Sequence, residues 1–168
     1  EGFRRGLPHV RPDRVVQFGA GGAGSAVAHA ALTPGVRHLT LIDVDPGRAR
    51  AVAERIDGGR IGGGRIEVGD SAADAIATAD GIINATPLGM DDHPGMAFPA
   101  SLLRPDLWVA EIVYFPLETE LLRRARAAGC RTVDGGGMAV FQAVEAFRLF
   151  SGVVPDAARM RRHFLSMG

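Results

Sequence analysis

The stretch Val15-Val16-Gln17-Phe18-Gly19-Ala20-Gly21-Gly22-Ala23-Gly24 runs an apolar strand straight into a G-x-G-x-x-G turn, and an alanine-rich helix follows. With 23 glycines in 168 residues, a chance match to so short a pattern is easy. Context gives this one its weight. A second apolar run, His38-Leu39-Thr40-Leu41-Ile42, ends in Asp43, nineteen residues beyond Gly24. A strand, a glycine turn, a helix and an acid at that distance make up a dinucleotide fingerprint. The glycines play different parts. Gly19 permits the tight turn, Gly21 lets backbone approach a pyrophosphate, and Gly24 lets helix and strand pack closely. The N–H groups of the helix start, over Ala20, Gly22 and Ala23, then face the anion.

Outward from this unit, apolar runs alternate with helical patterns along the whole chain, which argues for βαβ units and a parallel sheet. The reading predicts strands near 14–18, 38–43, 65–68, 81–85, 108–113 and 131–133. Helices are expected near 22–32, 46–56, 71–78, 118–128, 138–151 and 156–166. Asp45-Pro46 suits a helix start, with Asp45 as N-cap and proline in the first turn. Gly129 closes the helix that begins near Glu118. The fold class expected is α/β: a Rossmann-like, doubly wound, mainly parallel six-stranded sheet with helices on both faces. The domain layout expected is one dinucleotide-binding domain over 1–168. Within it, 1–13 is a linker, 14–151 the Rossmann core and 152–168 a C-terminal helical tail. Segment 57–65 resembles a phosphate loop but has no Lys and no following Ser or Thr, and reads as a flexible connector.

Composition narrows the function. Hydrophobic residues make up 46% of the chain and the formal net charge is +0, so neither disorder nor nucleic-acid binding is suggested. No apolar run reaches membrane-span length and no signal-peptide pattern opens the chain. The one cysteine, Cys130, reads as a small buried filler, and its solitude fits a reducing, cytoplasmic setting. All 19 basic residues are Arg. A P-loop lysine, a Schiff-base lysine and a lysine general base are therefore excluded from this chain. The histidines are scattered without ligand spacing, and Asp91-Asp92-His93 reads as a solvated loop, so no metal site is expected.

In open parallel sheets a ligand lies outside the carboxyl ends of the strands. After the second strand, Asp43 can accept the hydroxyl hydrogens of an adenosine ribose. A 2′-phosphate there would meet a like charge, so NAD is expected over NADP. Arg48 and Arg50 stand close enough to reach a phosphate, or form a solvated helix face. After the fourth strand, Asn84-Ala85-Thr86-Pro87 offers small polar groups and a fixed backbone to a ribose or nicotinamide, and an ordinary Pro-Gly turn serves the spacing equally well. Val113-Tyr114-Phe115-Pro116 follows the fifth strand and carries the only tyrosine. Asp134-Gly135-Gly136-Gly137-Met138 follows the sixth, opening a helix with Gln142 one turn in. By helical spacing alone Met138 reads as core and Gln142 as solvated surface.

Taken together, NATPLGM (84–90), VYFPLETELL (113–122) and DGGGMAVFQAVEAF (134–147) resemble the cofactor-binding half of shikimate dehydrogenases. The acid after the second strand is similar to the NAD-preferring quinate/shikimate branch, and Gly2-Phe3 also resembles a family segment. The resemblance implies reversible hydride transfer between NAD(P) and a ring hydroxyl of shikimate or quinate. It implies cofactor contacts at Gly19, Ala20, Gly21, Gly22, Ala23, Gly24, Asp43, Arg48, Asn84, Thr86, Pro87, Val113, Gly135 and Met138. Gly135 would offer its carbonyl to the carboxamide, and Met138 would pack on the nicotinamide ring. Tyr114 and Gln142 would face the substrate.

The family's proton-transfer lysine and partner aspartate belong to an N-terminal substrate domain. None of its catalytic residues is expected in this chain, which alone should bind NAD without turnover. The tail, with Met160, Phe164 and Leu165 apolar, would return to that missing domain or pack on its own sheet; left orphaned, it would invite association, including a homodimer. Two other classes share the glycine loop and acid: an NAD-sensing regulatory domain, and methyltransferases that bind S-adenosylmethionine.

Overall fold

The computed structural model describes residues 10, 13–32, 35–57 and 64–166. The proposed linker (except Val10 and Asp13), the Gly2-Phe3 likeness and most of the 57–65 connector lie outside them. Six strands form one sheet: β1 (Arg14–Phe18), β2 (His38–Ile42), β3 (Arg65–Val68), β4 (Gly81–Asn84), β5 (Trp108–Glu111) and β6 (Arg131–Val133). Every pairing is parallel and the order is β3-β2-β1-β4-β5-β6. Chain direction across the sheet reverses between β1 and β4, which opens a crevice at their carboxyl ends. The sheet is wholly parallel where the sequence led us to expect mainly parallel.

Two apolar layers hold the sheet, because alternate side chains leave each strand on opposite faces. On one face Val15, Leu39, Leu41, Ile83 and Trp108 pack under helices α1 (Gly22–Leu32) and α2 (Pro46–Asp57), whose Ala28, Leu32, Ala49, Val52 and Ile56 are buried. On the other, Val16, Phe18, Ile82 and Val109 meet Ile76 of α3 (Ala72–Ala77), Phe98, and Leu121 and Ala125 of α4 (Glu120–Ala127). Gly81 has a packing reason: a Cβ there would overlap the Trp108 ring. Cys130 is buried in the second layer, as expected, with Sγ donating to the Arg104 carbonyl.

The caps agree with the sequence in kind. Asp45 Oδ1 accepts from Gly47 and Arg48 N–H at the start of α2. Thr119 caps α4 through Leu122 N–H, and Gly129 beyond its end has φ +83°. Helix α5 (Gly136–Ser151) starts two residues earlier than expected, so the glycines of 136–137 are its first turn rather than loop slack. Helix α6 (Ala157–Leu165) has Asp156 as N-cap and packs against α5, with the Phe164 ring beside Gly136. Among the described residues, no helix is long and apolar enough to cross a membrane.

Candidate cofactor site

Five chain segments converge on the carboxyl edge of the sheet: the glycine loop after β1, Asp43 after β2, 84–90 after β4, 111–115 after β5 and 134–138 after β6. The three fingerprint glycines differ in what surrounds them. Gly19 has φ +96°, and a Cβ there would strike the Ala85 backbone. A Cβ on Gly24 would overlap the Gly19 carbonyl, so α1 rests directly on the loop. At Gly21 and Gly22 a Cβ would meet nothing within 4 Å. The fold itself thus requires bare backbone at positions 19 and 24, while position 21 opens outward at the N-terminus of α1.

Two side chains set the loop. Gln17, fully buried on the α1 side of β1, donates from Nε2 to the carbonyls of both Gly19 and Gly24, each at 2.8 Å. Its Oε1 is buried without a hydrogen-bond partner. From the other side Asp43 Oδ2 accepts from Ala20 N–H at 2.7 Å, and Oδ1 accepts from Asp45 N–H at 2.9 Å. The Asp43 side chain is only 4% exposed, and Arg48 stands 3.6 Å away between Asp43 and Asp45. Val44 beside it is fully exposed.

The far wall is built on a buried polar network that sequence reasoning missed. Glu111, 1% exposed, accepts four hydrogen bonds. Its Oε1 takes Asn84 Nδ2 at 2.8 Å and the N–H groups of Ile112 and Val113 at 2.9 and 3.1 Å, while Oε2 takes the Thr119 hydroxyl at 3.0 Å. Burial, opposed by these bonds, pushes its carboxyl up to about 7 from 4.5. The one sequence signal was an acid inside the apolar run Trp108-Val109-Ala110-Glu111-Ile112-Val113. Asn84 is also buried, and its amide is engaged entirely by protein: Nδ2 also donates to the Leu88 carbonyl, and Oδ1 accepts from Thr86 N–H and Oγ. It shapes the 84–88 turn rather than presenting a free group to a ligand. Thr86 is half-buried and Pro87 exposed.

Gly135 lies against Val113 so closely that a Cβ would overlap the carbonyls of residues 112 and 113. Its own carbonyl accepts Ala139 N–H in the first turn of α5. Met138 is half-buried, against the core position that spacing alone implied, and Gln142 and Tyr114 are exposed. The Phe115–Pro116 peptide is cis. The structure therefore brings Gly19–Gly24, Asp43 and Arg48 together on one side of the crevice, and Asn84, Thr86, Val113, Gly135 and Met138 on the other. A hollow of about 220 Å³ over the α3 face of β1–β3, lined by Thr40, Glu67 and Asp74, includes neither Gly21 nor Asp43. Among the described residues, no group of His, Cys, Asp or Glu is placed to hold a metal ion.

A parallel sheet of this order, with a glycine loop at its first crossover and an acid on the neighbouring strand, defines a Rossmann-type domain. Residues 135–163 match the family model "Shikimate 5'-dehydrogenase C-terminal domain". The shikimate dehydrogenase (NADP(+)) of Streptomyces avermitilis is 59% identical over 94% of this chain and 55% of its own length. The quinate/shikimate dehydrogenase (NAD(+)) of Corynebacterium glutamicum is 53% identical over 99% of this chain and 59% of its own. A solved structure of quinate dehydrogenase from Corynebacterium glutamicum in complex with NAD superposes with a TM-score of 0.93 at 52% identity, over 98% of this chain and 59% of that one. The chain belongs to the shikimate dehydrogenase family, and its residues 135–163 match the family's C-terminal domain. It spans 55–59% of the length of these curated relatives.

Proposed function

We propose that this chain is the cofactor-binding part of an NAD(P)-dependent dehydrogenase that interconverts shikimate or quinate with the corresponding ketone, with NAD preferred. The observation that carries the reading is the contrast among the fingerprint glycines. Packing explains Gly19 and Gly24, whereas the space over Gly21 and Gly22 suits a diphosphate at the N-terminus of α1. Asp43, with a lone pair to spare on each oxygen, fits a ribose, and its charge disfavours a 2′-phosphate. Arg48 would lie over the adenosine side. Val113, Gly135, Thr86 and Met138 would border the nicotinamide, which supplies the hydride acceptor when bound. Asn84 serves that wall indirectly, and Tyr114 and Gln142 would face the substrate.

The proton-transfer lysine that the family resemblance implies would come from outside these residues, since all 19 basic residues here are Arg. We therefore take 14–151 as the Rossmann core, working with an N-terminal substrate domain joined through 1–13 and touched by the 152–168 tail. The lone buried Cys130 suits a cytoplasmic setting. The relatives named above are dehydrogenases, which weighs against the methyltransferase alternative.

NADH fluorescence tests the reading. Trp108 is a poor reporter, because it is buried at the amino end of β5, away from the crevice. The wild-type chain should bind NADH. Gly21→Val, whose side chain enters only the open space, should weaken binding by about a hundredfold or more while leaving the thermal midpoint nearly unchanged. Unaltered binding by this variant would overturn the proposal.

A further inference from the structure

We propose that Glu111, as an ionised carboxylate, is a positioning residue that braces both halves of the nicotinamide wall. The inference rests on the cofactor reading above. One carboxylate ties together the 84–88 turn and both ends of the loop that runs from 112 to 119. Through Asn84 it holds the 84–88 turn, whose Thr86 and Leu88 hang on the same amide. Through the N–H groups of residues 112 and 113 it fixes the backbone on which Gly135 rests, and so the start of α5 ahead of Met138. Through Thr119, which also caps α4, it anchors the end of the loop that carries Tyr114.

Four donors converge on this group, and a carboxylate is the only state of the side chain that accepts all four without a proton of its own. A neutral carboxyl must place a hydrogen on one oxygen, and its remaining oxygen is a weaker acceptor for the other donors. Among the described residues, the groups facing it are neutral: Asn84 from β4, Thr119 from the α4 cap, backbone N–H of Ile112 and Val113, and Gly89 of the 84–90 turn. With no cation beside it among the described residues, burial raises the proton affinity of Glu111 and brings its titration to about 7. The wall should therefore be firm above that pH and loose below it.

The stability effect has the opposite sign. The carboxyl takes its proton more readily in the folded chain, at about 7, than at its ordinary 4.5. Its contribution to stability is thus greatest at low pH and is lost as pH rises through about 7. Loosening of the wall on acidification accompanies a firmer fold, so the two are separable.

The test compares NAD with ADP-ribose, which lacks the nicotinamide, on the 168-residue chain by calorimetry from about pH 8.5 to about pH 5.5, spanning the titration. For the wild type, the advantage of NAD over ADP-ribose should fall by about fivefold on acidification, the size of one or two lost hydrogen bonds. Affinity for ADP-ribose should hold nearly constant, and the denaturation midpoint should gain from this group. Glu111→Gln, an isosteric neutral side chain, should show the reduced advantage at every pH. If the wild-type advantage is independent of pH, or the Gln variant keeps it in full, the inference is overturned while the cofactor reading stands. A wild-type chain that binds neither ligand overturns both. The wild-type profile needs no variant, so a Gln variant that fails to fold leaves the test decisive.

Discussion

Asp43, proposed above to meet a ribose, also serves the fold. Each of its oxygens already accepts one backbone N–H, from Ala20 and from Asp45, and both groups lie beside the crevice. Asp43→Ala would leave those donors unpaired and disturb the glycine loop, so it would report on the loop as much as on the charge. Asp43→Asn removes the charge and keeps one acceptor oxygen, so one of the two N–H groups retains its partner. We expect it to weaken NAD modestly and to narrow the NAD/NADP affinity ratio by about tenfold, since a 2′-phosphate would no longer face an anion. Titration of both cofactors against this variant checks the expectation; an unaltered ratio would remove Asp43 from cofactor choice. The acid was legible from its distance to Gly24, because that spacing is set by one βαβ unit. Gln17 and Glu111 were not. A polar residue in an apolar run carries no sign of its partners, and the donors to Glu111 are distributed from position 84 to position 119. The raised proton affinity of Glu111, from 4.5 to about 7, corresponds to about 3 kcal/mol withheld from the fold when the group ionises. That is a substantial fraction of a typical domain's stability.

At the scale of elements, the central strands β4 and β5 were readable because strands buried on both faces of a parallel sheet form apolar runs, whereas edge strand β3 alternates exposed and half-buried residues. Boundaries slipped where backbone geometry depends on remote neighbours. The sequence reading placed the sixth strand's follower at 138, whereas α5 opens at Gly136, next to a Gly135 seated on the carbonyls of residues 112 and 113. The pairing of β4 with β5 shows a second dependence invisible in sequence. Gly81 and Trp108 are register partners, and the indole occupies the space where the Gly81 side chain would be. Gly81→Ala therefore forces the largest buried side chain of the sheet out of place. We expect a loss of about 1–3 kcal/mol, the usual cost of overpacking a core, together with a shifted Trp108 emission. Chemical denaturation measures the loss. Because residue 81 begins β4 and the crevice lies beyond its end, NAD affinity of the folded fraction should be retained. A variant as stable as wild type would show that the indole has room to move.

For the whole molecule, the distribution of apolar surface is uneven. Helices cover both faces of the sheet's centre, yet Phe147, Leu149, Phe150, Val153, Val154 and Leu165 are exposed along the end of α5 and the tail. Helix α6 covers the start of α5, where Phe164 meets Gly136, and leaves the far end bare. Phe150 is 92% exposed and Val154 79%, values far from what a monomeric surface needs when several such residues adjoin. In the proposed two-domain enzyme this face would seat the partner domain. When it is not covered, water contact along it favours self-association of the chain. The expected behaviour is a concentration-dependent increase in apparent mass by sedimentation and binding of a hydrophobic dye. Phe150→Ser with Val154→Ser should suppress both. Affinity for NAD should stay as it was, because the 16 residues of α5 place its exposed end about 24 Å from the Gly135 turn. Wild-type chain that stays monomeric at high concentration and binds no dye would show this face to be inert on its own.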